Sequence, residues 1–176
     1  RIPYLQTGQA DLVISSLGKN PEREAAIDFS EAYAPFFLGV FSADADESVE
    51  SPEGLADKTI GVTRGAVEDM ELSEIAPDST TVQRFEDNAT TISAFLSGQV
   101  DYVATGNVVA AERNSERAPS LVYQLKDSPC YVGMNKNEPA LMEEVNRLIA
   151  QGLEDGTLNE LSQRWFSADL PENFGS

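Results

Sequence analysis

The sequence predicts an α/β fold in two lobes, and three observations predict it. Between residues 59 and 124, short β-branched and aromatic runs alternate with amphipathic helical stretches. Such alternation builds a mainly parallel sheet, because parallel neighbours need a crossover connection. The segments before residue 42 and after residue 125 carry strands and helices of their own, so the middle reads as a lobe inserted into another. No internal repeat or low-complexity segment interrupts this plan.

The elements follow in order. Residues 3–9 read as the end of a helix stopped at Gly8. Leu12-Val13-Ile14 opens a strand over 12–15. Asn20 caps a short helix over 21–26 with Pro21 at its first position. The aromatic and branched run 33–42 predicts one long strand, and 44–50 an acidic loop. Strands are expected at 59–63, 80–85, 101–105 and 121–124, with helices at 67–75, 88–97 and 107–117. The helix over 88–97 is well marked: Asp87 or Asn88 caps it, Ala89, Ile92, Phe95 and Leu96 form its apolar face, and Gly98 ends it. A strand over 130–135 leads to a helix over 138–153, with Leu141, Val145, Leu148 and Ile149 on one face. Gly156 breaks that helix, and Thr157 opens a last one expected to bury Leu158, Leu161 and Trp165. The expected lobes are therefore 1–38 with 131–176, and 42–125, joined by a two-strand hinge near 39–42 and 129–133.

Composition narrows the chemistry. The chain has 176 residues, 30 Asp and Glu against 12 Lys and Arg, and a net charge of −18. That balance disfavours nucleic acid and anionic membrane surfaces, which attract clustered Lys and Arg. No apolar run approaches the ~18 residues needed to span a bilayer, so no membrane insertion is expected. There is no histidine, which excludes His-based triads and histidine metal ligands. The single Cys130 excludes an internal disulfide and cannot build a zinc site; on its apolar strand it reads as a buried free thiol. Neither phosphate-binding glycine motif occurs. Glu68-Asp69 and Glu143-Glu144 fit a helix exterior better than a paired acid/base site. Tyr33, Phe36 and Phe37 either stack on a ligand, line the hinge or belong to the core. No catalytic residue, metal or cofactor is assigned.

Ligands of α/β sheets bind beyond the carboxyl ends of strands, and three such ends carry candidate residues. At the first, Ser15 and Ser16 follow the strand, Gly18 lies in the turn, and the capped helix returns Arg23 toward it. Small hydroxyl residues with one fixed guanidinium suit a carboxylate, which arginine pairs bidentately. At the second, Thr63-Arg64-Gly65-Ala66-Val67 turns from strand into helix, where free backbone N–H groups and the helix dipole favour an anion. At the third, Thr105-Gly106-Asn107 ends a strand; Asn107 either meets a ligand or caps the next helix.

The string Ser15-Ser16-Leu17-Gly18-Lys19-Asn20-Pro21-Glu22-Arg23, followed by Asp28-Phe29-Ser30-Glu31-Ala32-Tyr33, resembles the signature of the bacterial extracellular solute-binding proteins of polar amino-acid ABC importers. The stretch from Ser51 to Lys58, then Thr59-Ile60-Gly61-Val62 and Arg64-Gly65, resembles that family's entry into its second lobe. The end from Leu141 to Trp165-Phe166 resembles its last two helices. The resemblance implies a periplasmic-binding-protein-like type II fold with an incomplete first lobe. Its relatives carry about one further βαβ stretch ahead of Arg1-Ile2-Pro3-Tyr4, so a truncated or processed chain, with a signal peptide in the precursor, is expected. It implies a periplasmic or extracellular protein that closes two lobes around a small carboxylate-bearing solute, an amino acid or derivative, and delivers it to an ABC permease. Arg23 would hold the carboxylate, with Ser15, Ser16, Gly18, Thr63, Gly65, Ala66, Val67, Thr105, Gly106 and Asn107 around the ligand. Three positions depart from the family pattern. Gly18 replaces a hydroxyl residue. Ala66 and Val67 stand where Thr or Ser follows the glycine, a loss for which Arg64 is one compensation. Gly106 stands where α-amino-acid binders place the Asp that pairs with the ammonium. Alternatives are an enzyme on the same scaffold resembling the cyclohexadienyl dehydratases, and a ligand-sensing module of a receptor.

Overall fold

The computed structural model of the chain describes residues 1–111 and 114–175. The elements are α1 (Ile2–Gln6), β1 (Leu12–Ile14), α2 (Pro21–Ala26), β2 (Asp28–Ala34), β3 (Phe37–Ser42), a 3₁₀ turn (Pro52–Leu55), β4 (Thr59–Thr63), α3 (Val67–Ile75), β5 (Thr81–Phe85), α4 (Asn88–Leu96), β6 (Tyr102–Gly106), β7 (Ser120–Asp127), β8 (Cys130–Met134), α5 (Pro139–Glu154) and α6 (Thr157–Phe166). They divide into two compact units: Arg1–Phe36 with Ser128–Ser176, and Phe37–Asp127. The segments expected as crossings, 39–42 and 129–133, lie largely in β3 and β8; the division falls beside them, at 36/37 and 127/128.

Unit 1 holds a three-stranded sheet in the order β1-β8-β2, with the central β8 antiparallel to both neighbours. A bulge interrupts β2 between Phe29 and Ala32. There Ser30 Oγ accepts the Val132 N–H at 2.9 Å, replacing a ladder bond with a side chain. Leu5 from α1, Leu17 from the loop after β1 and Ile27 from the junction of α2 and β2 are fully or almost fully buried and form the core. Gly133 permits this: a Cβ there would lie 2.8 Å from Leu17 Cδ2 and 3.1 Å from Ile27 Cδ1. Helices α5 and α6 pack against β2. On α5 Ile149 is buried as expected, but Leu148 is exposed. The expected burial of Leu161 and Trp165 fails: they are 43% and 63% exposed, and α6 buries Ser162 instead.

Unit 2 holds a five-stranded sheet in the order β5-β4-β6-β3-β7. Strands β5, β4 and β6 are parallel, and β3 runs antiparallel to both of its neighbours, β6 and β7. The sheet is thus mixed rather than mainly parallel, because β3 runs against the strands on both of its sides. The helix expected over 107–117 is a turn at 107–110, with Ala110 N–H bonded to Gly106 O at 3.0 Å; Glu112 and Arg113 lie outside the described residues. Arg117 pins the returning segment to α4, donating from Nε to Phe95 O at 3.0 Å. Both faces are covered. Ile60, Val62, Tyr102, Ala104 and Val122 pack with Leu55 and Leu72 on one side; Phe41 and Val103 pack with Ala94, Phe95 and Val100 on the other. Period-two alternation along β6 feeds both cores, so this strand is buried along its whole length.

The expected single strand over 33–42 is instead the end of β2 and the whole of β3, broken at Pro35-Phe36. Proline lacks the N–H that a continuous ladder needs. In α4, Asp87 is the cap, its Oδ1 accepting Thr90 N–H at 2.7 Å. Its buried residues are Thr91, Ala94 and Phe95, while the expected core residue Ala89 is exposed.

Candidate functional site

In unit 1 the site begins where β1 ends. The Ser15 carbonyl accepts the Tyr33 hydroxyl at 2.8 Å, and Leu17 plugs the core from the same loop at 1% exposure. Burial raises the Tyr33 pKa, as does the nearby Cys130 charge, keeping the phenol in its donating form. Asn20 Oδ1 accepts the Arg23 N–H at 2.8 Å, which fixes the start of α2. Arg23 Nη1 then donates to Gly18 O at 2.8 Å, so the guanidinium is held against the loop by a backbone carbonyl. Among the described residues no carboxylate lies within 4.0 Å of Arg23. Ser16 is exposed and Ser15 half-buried.

The sequence reading missed Arg1. Its Nη1 donates to Ser15 Oγ at 2.9 Å and approaches Ser16 O at 3.4 Å. These contacts join residues 14 and 15 positions apart. No local pattern announces them; they follow from how α1, anchored by Leu5, packs beside β1.

In unit 2 the second strand end differs from expectation. Gly65 has φ +72, the left-handed turn that glycine allows. Its N–H is not free: it donates to Asp69 Oδ2 at 2.9 Å. Asp69 also receives Arg84 Nε at 3.0 Å on both oxygens and Ser73 Oγ at 3.2 Å. Burial pushes the Asp69 carboxyl up, but the Arg84 hydrogen bond, the Gly65 N–H, the Arg84 charge and Ser73 together hold it below the ordinary carboxylate range. Glu68 and Asp69 are 8% and 6% exposed, which corrects their placement on a helix exterior. Burial raises Glu68. The Ala66 N–H donates to Thr63 O at 3.2 Å, and Val67 is 43% exposed. Thr63 Oγ1 donates to Asn88 Oδ1 at 2.7 Å and lies 2.9 Å from Thr91 Oγ1, tied to the start of α4. Arg64 pairs at 3.5 Å with Glu86, both exposed.

At the third strand end Thr105, Gly106 and Asn107 are all buried. Among the described residues no helix follows Asn107, which exchanges two hydrogen bonds with Phe37, N–H to Phe37 O at 3.0 Å and Oδ1 from Phe37 N–H at 3.1 Å. It extends the β6–β3 ladder by one residue. Phe37 itself stacks on Phe41 with ring centroids 6.3 Å apart. Among the described residues no cluster of metal-ligating side chains occurs, and no helix is long and apolar enough to cross a membrane.

Comparison with known proteins fits these features. The model of the bacterial extracellular solute-binding proteins, family 3, matches residues 1–168. The ABC transporter glutamine-binding protein GlnH of Bacillus subtilis (strain 168) is 30% identical, over 98% of this chain and 63% of that protein. The amino-acid-binding protein AabA of Dichelobacter nodosus is 25% identical, over 92% of this chain and 66% of that protein. The chain thus spans a little under two thirds of the length of both. The solved structure of an ancestral cationic amino acid solute binding protein superposes with a TM-score of 0.77 at 30% identity, covering 94% of this chain and 73% of that one. The fold is accordingly of the type II periplasmic-binding-protein kind, and the chain belongs to the bacterial extracellular solute-binding proteins, family 3.

Proposed function

We propose that this chain is part of a solute-binding component of an ABC importer, working in the periplasm or outside the cell. It captures a small carboxylate-bearing solute, an amino acid or close derivative, for the permease. One observation carries the reading. Arg23 is fixed against Gly18 O by one nitrogen and has no carboxylate partner among the described residues, in a chain with 30 acidic residues. A guanidinium held this way keeps its other N–H donors for a bidentate carboxylate. The half-buried Ser15 and exposed Ser16 adjoin it on the same loop. The named roles of GlnH and AabA as glutamine- and amino-acid-binding proteins support the same class of solute.

The strand-end turn at Gly65, Ala66 and Val67 is a weaker anion site than its sequence promises. Asp69 already takes the Gly65 N–H, and the Ala66 N–H is bonded to Thr63 O. The Val67 backbone is left as the donor with which this turn would meet a solute. The reading therefore rests on Arg23.

A thermal-shift screen over amino acids, polyamines and keto acids identifies the solute, since a ligand of the native state raises stability by mass action. Calorimetry with Arg23→Ala then tests the role. Affinity is expected to fall by about 2–5 kcal/mol, the loss when one partner of a desolvated charge pair is removed. Unchanged affinity would overturn the assignment.

A further inference from the structure

The loop from Ser15 to Gly18 carries a guanidinium at each end. Arg23 leans on Gly18 O, and Arg1 leans on Ser15 Oγ and Ser16 O. The two anchors, Ser15 and Gly18, are three positions apart, so their Cα atoms are at most about 11 Å apart.

The charge pattern around this loop is unusual for the chain. Acidic residues outnumber Lys and Arg by 30 to 12; among the described residues six cations, Lys19 beside this loop included, have carboxylates within 4.0 Å, and Lys58, Arg117 and Arg164 lie over aromatic rings. Arg1 and Arg23 have neither a carboxylate nor an aromatic ring as partner among the described residues. Arg1 uses only Nη1, which leaves Nη2 and Nε as donors. The Ser15 hydroxyl accepts from Arg1, so its own O–H stays available to donate. Arg1 is also held in place: its carbonyl accepts Tyr4 N–H at 3.2 Å at the start of α1, and Leu5 on that helix is fully buried. Two oriented, uncompensated guanidinium groups on one short loop complement two negative charges.

We propose that Arg1 is a specificity-determining residue, and that it selects small solutes bearing two anionic groups: acidic amino acids or dicarboxylates. This rests on Arg23 holding the first carboxylate, as argued above; Arg1 takes the second. A neutral carboxamide in the same place accepts one hydrogen bond but offers no charge.

L-Glutamate and L-glutamine differ at that group alone, and calorimetry with both isolates it. Glutarate, which lacks the amine, separates a dicarboxylate preference from an amino-acid one. The wild-type protein is expected to bind glutamate or glutarate at least about tenfold more tightly than glutamine, the worth of one charge-assisted hydrogen bond. Arg1→Gln is expected to abolish that ratio while leaving glutamine affinity within about twofold, and Arg1→Lys to keep part of it. Added salt is expected to shrink the wild-type ratio. Equal weakening of every ligand by Arg1→Gln would show that Arg1 only holds the loop and would overturn the inference. So would an unchanged ratio, or a wild-type preference for glutamine. A protein that binds none of the three would overturn the inference too, whereas an Arg23→Ala variant that binds them all unchanged fails the Arg23 assignment instead.

Discussion

The Gly65 N–H is bonded to Asp69 Oδ2 at 2.9 Å, and the same carboxylate is gripped by Arg84 Nε at 3.0 Å. A turn whose sequence reads as an open anion site thus carries its own anion. Asp69→Ala leaves the Gly65 N–H and Arg84 without their partner. We expect a loss of about 1–3 kcal/mol of stability, toward the lower end because the Arg84 side chain is 38% exposed. Urea denaturation measures it, and an unchanged midpoint would mean that water replaces the carboxylate at no cost.

Glu68 and Asp69 are adjacent and titrate in opposite directions. Asp69, lowered, contributes stability that is complete above its unfolded value of about 3.9 and is lost as pH falls through the folded value. Glu68, raised by burial, behaves the other way. The folded state holds its proton where the unfolded state, at about 4.3, has released it, so stability falls as pH rises through the folded value. Glu68→Gln is expected to be more stable than wild type at pH 7, with the difference closing below about pH 4. A less stable variant at pH 7 would place Glu68 in a favourable charge interaction instead.

Asn20→Ala removes the side-chain acceptor at the start of α2. The expected cost is about 1 kcal/mol of stability. Because the same helix presents Arg23, affinity for the solute is expected to fall as well, by less than in Arg23→Ala. Parallel melting and calorimetry check both; weakened affinity without loss of stability would point to Asn20 touching the solute.

Ile14, on the outer strand β1, is 66% exposed, and Trp165 on α6 is 63% exposed. Tyr33, Pro35, Leu158, Trp165 and Phe166 line an open apolar pocket of ≈ 230 Å³. An exposed edge strand and an apolar face are templates for association. Light scattering of this 176-residue chain is expected to show self-association that Ile14→Lys reduces. Trp165 is the sole tryptophan, so its fluorescence reports the face directly. At low concentration it is expected to be red-shifted and open to acrylamide. A monodisperse chain with a blue, quencher-resistant emission would contradict the exposed face.

Much of this protein was legible because its signals are local. Asn20 before Pro21, Asp87 three residues ahead of Thr90, and Gly98 after the apolar face of α4 are each decided by a few neighbouring residues, and the helices stand where those residues put them. The string from Ser15 to Tyr33 and the stretches at 51–65 and 141–166 carried the family, since side-chain types at fixed spacing survive without coordinates. Tertiary structure decided what distance in sequence conceals. Strand direction was one such matter: only pairing shows that β3 runs against both β6 and β7. Burial was another. Glu68 and Asp69 look like a solvated pair until Arg84, fifteen residues on, draws Asp69 inward, while Leu161 and Trp165 look like core and face outward. The grip of Arg1 on Ser15 belongs to the same class. Periodicity reports which side chains share a face, whereas hydrogen bonds and charge partners between distant segments exist only once the chain has folded.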